Sequence, residues 1–158
     1  MNKKGFTLVE LLVVVAILGV LAAVGIVSFG GFLGSAKENA VKTNHSNMLK
    51  FVQVQITKCN IDLNDYVSFK KQSGTEEVIH KCIDLSASQW ATALKNHFQG
   101  SGYKNPYDSN EYAAYIDNAF PTKIGRTNIG YSGSEILIKT KWGNEESNTL
   151  NSKVDFEY

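Results

Sequence analysis

A long, predominantly apolar run from Phe6 to Ala36, interrupted by a single charge at Glu10, constrains this chain more than any other feature. Lys3, Lys4 and Gly5 precede the run, and the next charged residue after Glu10 is Lys37. A helix needs about 20 apolar residues to cross the hydrocarbon core of a bilayer, so the run is long enough to span one. Lys3 and Lys4 then stay on the cytoplasmic side, with the bulk of the chain outside. A cleavable secretory signal fits poorly, because its apolar region runs to roughly 7–15 residues and ends at a small-residue site. Here Ala22 and Ala23 are embedded in the run without a polar boundary. A plain anchor accounts for the length and the lysines but not for Glu10. A carboxylate in hydrocarbon costs on the order of 2.5–3.5 kcal/mol, which makes Glu10 a candidate functional residue in need of a partner.

The residues Lys3-Lys4-Gly5-Phe6-Thr7-Leu8-Val9-Glu10-Leu11-Leu12 resemble the processing site of type IV prepilins and of the related type II secretion pseudopilins. The resemblance implies that a prepilin peptidase cuts between Gly5 and Phe6 and methylates the new terminus at Phe6. It also implies that Glu10 is the assembly glutamate. It divides the chain into a leader (residues 1–5), a transmembrane and filament-core helix (6–35) and a globular head (36–158). Cleavage would leave a charged amine on Phe6, four residues from Glu10. In a packed bundle the carboxylate of one subunit would pair with the amine of its neighbour, removing most of the cost of a buried unpaired acid and setting register between subunits. The other reading is an acid that snorkels at the edge of an ordinary anchor.

The remaining residues suffice for one small domain. Net charge is +1, from 16 basic and 15 acidic side chains. Loss of Lys3 and Lys4 with the leader lowers 16 to 14 and turns the balance to −1. Nothing in that balance marks a nucleic-acid-binding surface. The two cysteines, Cys59 and Cys82, both follow the anchor and so face an oxidising compartment, where an even pair reads as a disulfide. Two buried free thiols are the alternative. Many pilins carry their disulfide near the C-terminus, and this chain departs from that pattern.

Along the chain, the apolar run is expected to continue as one helix to about Cys59. Val41, His45, Met48, Leu49, Val52 and Ile56 recur at helical spacing and form one stripe. The helix is thus apolar all round in its first half, which calls for burial in lipid or protein, and one-faced in its second. Glycines at 19, 25, 30, 31 and 34 weaken it. Many family members have a proline seventeen residues after the glutamate. Val27 stands there in this chain, leaving Gly19 and Gly25 as the expected points of bending. Tyr66–Phe69 and Glu77–His80 read as strands about a Ser73-Gly74 turn. Ser86 and Gln89 form a capping box opening a second helix, with Trp90, Leu94 and Phe98 on its core face and Gly100 at its end. Residues 101–110 read as a loop. Within and beside it, Asp108, Asn110 and Glu111 carry oxygens of the kind calcium takes, although a solvated turn is the default reading. Strands are expected at Thr127–Tyr131, Glu135–Trp142 and Lys153–Tyr158. The fold class is therefore α+β: a long N-terminal helix, its apolar half protruding, packed on a C-terminal antiparallel sheet, as in the pilin fold.

The sequence holds no Gly-x-Ser-x-Gly, no phosphate-binding glycine loop and no His-Glu-x-x-His. His45, His80 and His97 are scattered, and His45, on the helix stripe, reads as a packed residue. No catalytic residue, metal site or cofactor is expected, and an enzyme is not the reading. The Asn44-His45-Ser46 sequon lies mid-helix and carries little weight. The leading expectation is a structural subunit of a type IV pilus. It would be held in the cytoplasmic (inner) membrane as a single-pass precursor and polymerised into an extracellular filament, with the prepilin peptidase and the pilus assembly machinery as partners. Adhesion, motility and DNA uptake follow by resemblance alone. The alternatives are a pseudopilin of a type II secretion system and a membrane-anchored binding module.

Overall fold

The computed structural model describes residues 5–156. Lys3, Lys4 and the rest of the leader before Gly5 lie outside the described residues, as does Tyr158. The chain divides into two compact units, Met1–Ala36 and Lys37–Tyr158. One helix, α1 (Leu8–Ile61), carries the N-terminal run from Leu8 onward and continues into the second unit, ending two residues beyond Cys59.

In the first unit nearly every described side chain is exposed, including Leu11, Ile17, Val24 and Phe29. Among the described residues α1 is the helix long and apolar enough to cross a membrane. Gly19 and Gly25 sit within this continuous helix, and a Cβ added at either would meet nothing within 4 Å.

In the second unit the helical stripe is buried: Val41, His45, Met48, Val52, Ile56 and Cys59. Leu49 is half-buried at its edge and packs against the core. The strand β1 (Tyr66–Lys70) pairs antiparallel with β2 (Glu77–Lys81). A short 3₁₀ turn, Cys82–Asp84, leads to α2 (Ala87–Gly100). The capping box at Ser86 is formed: its N–H and hydroxyl both donate to Gln89 Oε1, at 2.8 and 2.7 Å.

The C-terminal end of α2 differs from the sequence expectation. Gly100 is the last helical residue, not the glycine that reverses the chain. That role falls to Gly102 at φ +81°, where the left-handed backbone suits glycine. The Gly102 N–H donates to the Gln99 carbonyl and the Tyr103 N–H to the Phe98 carbonyl. This is a Schellman closure, and the Phe98 and Tyr103 rings meet edge-on at 5.4 Å beneath it. Gly100 is needed for a different reason. A Cβ there would lie 2.0 Å from the carbonyl oxygen of Lys71, so the helix end and the β1–β2 turn pack backbone to backbone.

The expected loop 101–110 also requires correction. It contains β3 (Lys104–Asn105) and the start of β4 (Asp108–Tyr112), a small antiparallel hairpin about Pro106-Tyr107. These strands are short and polar, without the alternation that reveals a strand in sequence.

The main sheet has the order β5-β6-β7-β8, from β5 (Ala114–Ile116), β6 (Thr127–Ser132), β7 (Glu135–Lys141) and β8 (Thr149–Asp155). Its last three strands are antiparallel, and β5 joins the edge in parallel. β8 starts four residues before the expected Lys153. Ile136 and Ile138 face the core, but Leu137 on the opposite face is also buried. The reason is the segment between β5 and β6, which crosses that face. A Cβ at Gly130, the cross-strand partner of Leu137, would lie 2.4 Å from Asn118 Oδ1. One core joins Met48, Val52 and Ile56 of α1 to Trp90, Leu94 and Phe98 of α2 and to Ile129, Ile136 and Ile138 of the sheet.

Candidate functional site

The N-terminus of α1 gathers the residues singled out for processing and assembly. Gly5 and Phe6 are exposed, non-helical residues immediately before the helix. Thr7 is the cap. Its N–H and its hydroxyl both donate to Glu10 Oε2 at 2.8 Å, and the Glu10 N–H donates back to Thr7 Oγ1 at 3.3 Å. This is the reciprocal Thr-x-x-Glu capping box, and it satisfies donors that every helix N-terminus leaves free. The helix dipole also favours a carboxylate in the first turn. Glu10 therefore has a local partner within its own chain. The signal is in the sequence as Thr7-x-x-Glu10, a capping-box spacing that the reading of Glu10 as a costly charge and assembly glutamate passes over.

Cys59, near the end of α1, and Cys82, opening the 3₁₀ turn, form a disulfide with Cα atoms 5.4 Å apart. Both are fully buried. The bond ties the β1–β2 hairpin back to α1, and Lys58 adds an exposed tie through the Tyr66 carbonyl and the Asp65 carboxylate.

The three histidines are not brought together. His45 is buried, with Nδ1 2.8 Å from Thr140 Oγ1 and Nε2 2.9 Å from Ser152 Oγ, so it links α1 to β7 and β8. Thr140 in turn meets Thr127 Oγ1 at 2.7 Å. Burial pushes the His45 pKa down. His97 stacks on Phe51 at 4.1 Å, and its Nδ1 accepts the Lys70 N–H. Burial lowers its pKa, with Lys70 adding to the effect. His80 lies against Phe69. The sequence marked His45 as packed but gave no sign of its hydroxyl partners, which lie 95 and 107 residues away.

Among the described residues no group of histidine, cysteine and carboxylate side chains could hold a metal ion. Asp108 and Glu111 are taken up instead by Lys123, and Glu111 also by Arg126. The hydrogen bond from Lys123 and the neighbouring guanidinium hold the Glu111 carboxyl below its usual range.

The decisive comparison concerns the N-terminus. Residues 1–26 match the family model described as the prokaryotic N-terminal methylation motif. The chain carries a type IV pilin signal. It is also 51% identical over 43 residues to the type IV major pilin protein PilA of Myxococcus xanthus (strain DK1622). That match takes in 27% of this chain and 20% of the relative, so it spans about a fifth of the length of that protein. No solved structure matches the chain. The long apolar helix followed by sheet strands makes an α+β arrangement consistent with a pilin fold.

Proposed function

We propose that this chain is a structural subunit of a type IV pilus, assembled through the N-terminal part of α1. The observation that carries the reading is the methylation motif set on an apolar helix that is exposed at nearly every described position of the first unit. An apolar helix exposed all round requires lipid or other protein around it. A filament core of packed helices supplies the second environment, and the cytoplasmic membrane supplies the first before assembly. Cleavage between Gly5 and Phe6 by a prepilin peptidase would release an amine one residue before Thr7. That amine would be drawn to the Glu10 carboxylate of a neighbouring subunit. Gly19 and Gly25, the first two glycines of this stretch, are the proposed points of adjustment as the helix enters a filament.

Two substitutions at Glu10 separate its roles. Glu10→Gln keeps a capping side chain but removes the charge, whereas Glu10→Ala removes both. If assembly rests on a charge pair, both variants accumulate as processed monomer in the membrane and neither appears in a sheared surface fraction. Filaments of normal yield from Glu10→Gln would show that capping alone suffices. A pseudopilin shares the motif and the apolar helix. It would give processed chains in the membrane without long surface filaments.

A further inference from the structure

We propose that the free edge of β2, with the groove between β2 and α2, binds an extended polypeptide strand. Other sheet edges are closed or polar. The outer edge of β1 is capped: His97 Nδ1 accepts the Lys70 N–H, and Lys58 Nζ donates to the Tyr66 carbonyl at 2.7 Å. At β5 the Gln99 side chain donates to the Ala114 carbonyl. The β8 edge presents Thr149, Asn151, Lys153 and Asp155, polar residues that discourage edge pairing.

β2 differs in having no such cap and in carrying an apolar residue, Ile79, between the charged Glu77 and Lys81 on its outward edge. The Cys82 N–H donates to the Asp65 carbonyl and the Lys71 N–H to the Glu76 carbonyl. With this register the bonded pairs fall at Val67–His80 and Phe69–Val78. Glu77, Ile79 and Lys81 therefore turn their N–H and carbonyl groups away from β1. Ile79, at the centre of that edge, is 67% exposed. An open edge with an apolar centre is a template for another strand.

The neighbouring groove suits the side chains of such a strand. It has a volume of about 380 Å³, a floor of Val78 and Ala93, and walls of His80, Gln89, Thr92 and Asn96. All the wall groups from α2 are uncharged amides or a hydroxyl. A strand added to β2 would send alternate side chains into this groove and the others to solvent. The backbone supplies the affinity and the uncharged walls select small or polar uncharged side chains at those alternate positions.

The test uses the full processed chain in detergent micelles and a phage-displayed library of random linear ten-residue peptides as probe. The best binder is resynthesised, and its Kd and its effect on hydrogen exchange at the Ile79 amide are measured. Ile79→Pro removes the outward donor without touching a β1–β2 bond, a position where an edge strand tolerates proline. It should weaken binding about tenfold, and the Ile79 amide of the unaltered chain should exchange more slowly with peptide bound. Asn96→Ala, which leaves the edge intact, should weaken binding several-fold and keeps the test open should the proline variant fold poorly. Failure to select any peptide, equal binding to the proline variant, or an unchanged Ile79 amide would overturn the proposal. A groove that takes a maltotriose probe and no peptide would overturn it in favour of a sugar site.

Discussion

Glu10, the one charge in the apolar run, finds its partner three residues away. Within its own chain the carboxylate is held by the Thr7 N–H and hydroxyl, so the helix start does not carry a bare charge. Replacing Thr7 by valine removes the hydroxyl while keeping the shape, and should cost about 1 kcal/mol of local helix stability. Faster amide exchange over the first turn of α1 in micelles would register that loss, and unchanged exchange would contradict the cap. His45 and His97 make a second prediction at this scale. Both have folded pKa values below the ordinary 6.5. Below about pH 6.5 the unfolded chain binds protons that the fold refuses, so stability is full above that value and falls as pH drops through the lower folded values. The held-down carboxylates Asp65, Glu76 and Glu111 have unfolded values of 3.8 to 4.5, so their loss comes at lower pH. Thermal melts of the full chain in micelles at pH 7.5 and 5.5 should therefore show a lower Tm at pH 5.5. Replacing both histidines by asparagine should flatten the difference, and a flat profile in the unaltered chain would contradict the account.

At the scale of elements, the β1–β2 hairpin hangs on two unlike devices. The disulfide closes a loop with a sequence separation of 23, worth about 3 kcal/mol by chain entropy. Cys59→Ser with Cys82→Ser should lower unfolding stability by roughly that amount, read from denaturant melts. The backbone contact of Gly100 with Lys71 is the second device. Gly100→Ala must displace the hairpin turn, an overpacking cost of about 1–3 kcal/mol or more. Gly102→Ala meets no atom within 4 Å and suffers only its left-handed backbone, about 1–2 kcal/mol. Equal losses from the two would argue against the close packing. These elements also show what was legible in the sequence. The long helix, its buried stripe and the Ser86 capping box follow from local pattern, and all three are present. β3, β4 and β5 are two to five residues long, and nothing in their local sequence announces them. Their pairing comes from distant partners, as Ala114 facing Thr127 in parallel register shows. Gly100 was read as a local stop signal because the contact that requires it lies on another element.

For the whole molecule, the sequence spoke most clearly where the pattern is local: the methylation motif over residues 1–26 and the apolar run that forms the first part of α1. It said little about the head's binding surfaces, because the open edge of β2 and the groove against α2 exist only once the strands have paired. The central claim is that the chain is processed at Gly5–Phe6 and built into a filament through α1. The most direct measurement is electron microscopy of material sheared from the cell surface, with mass spectrometry of the N-terminus of its subunits. The account predicts long thin filaments made of this chain, each subunit beginning at a methylated Phe6. Chains that remain in the membrane and still begin at Met1 would contradict it.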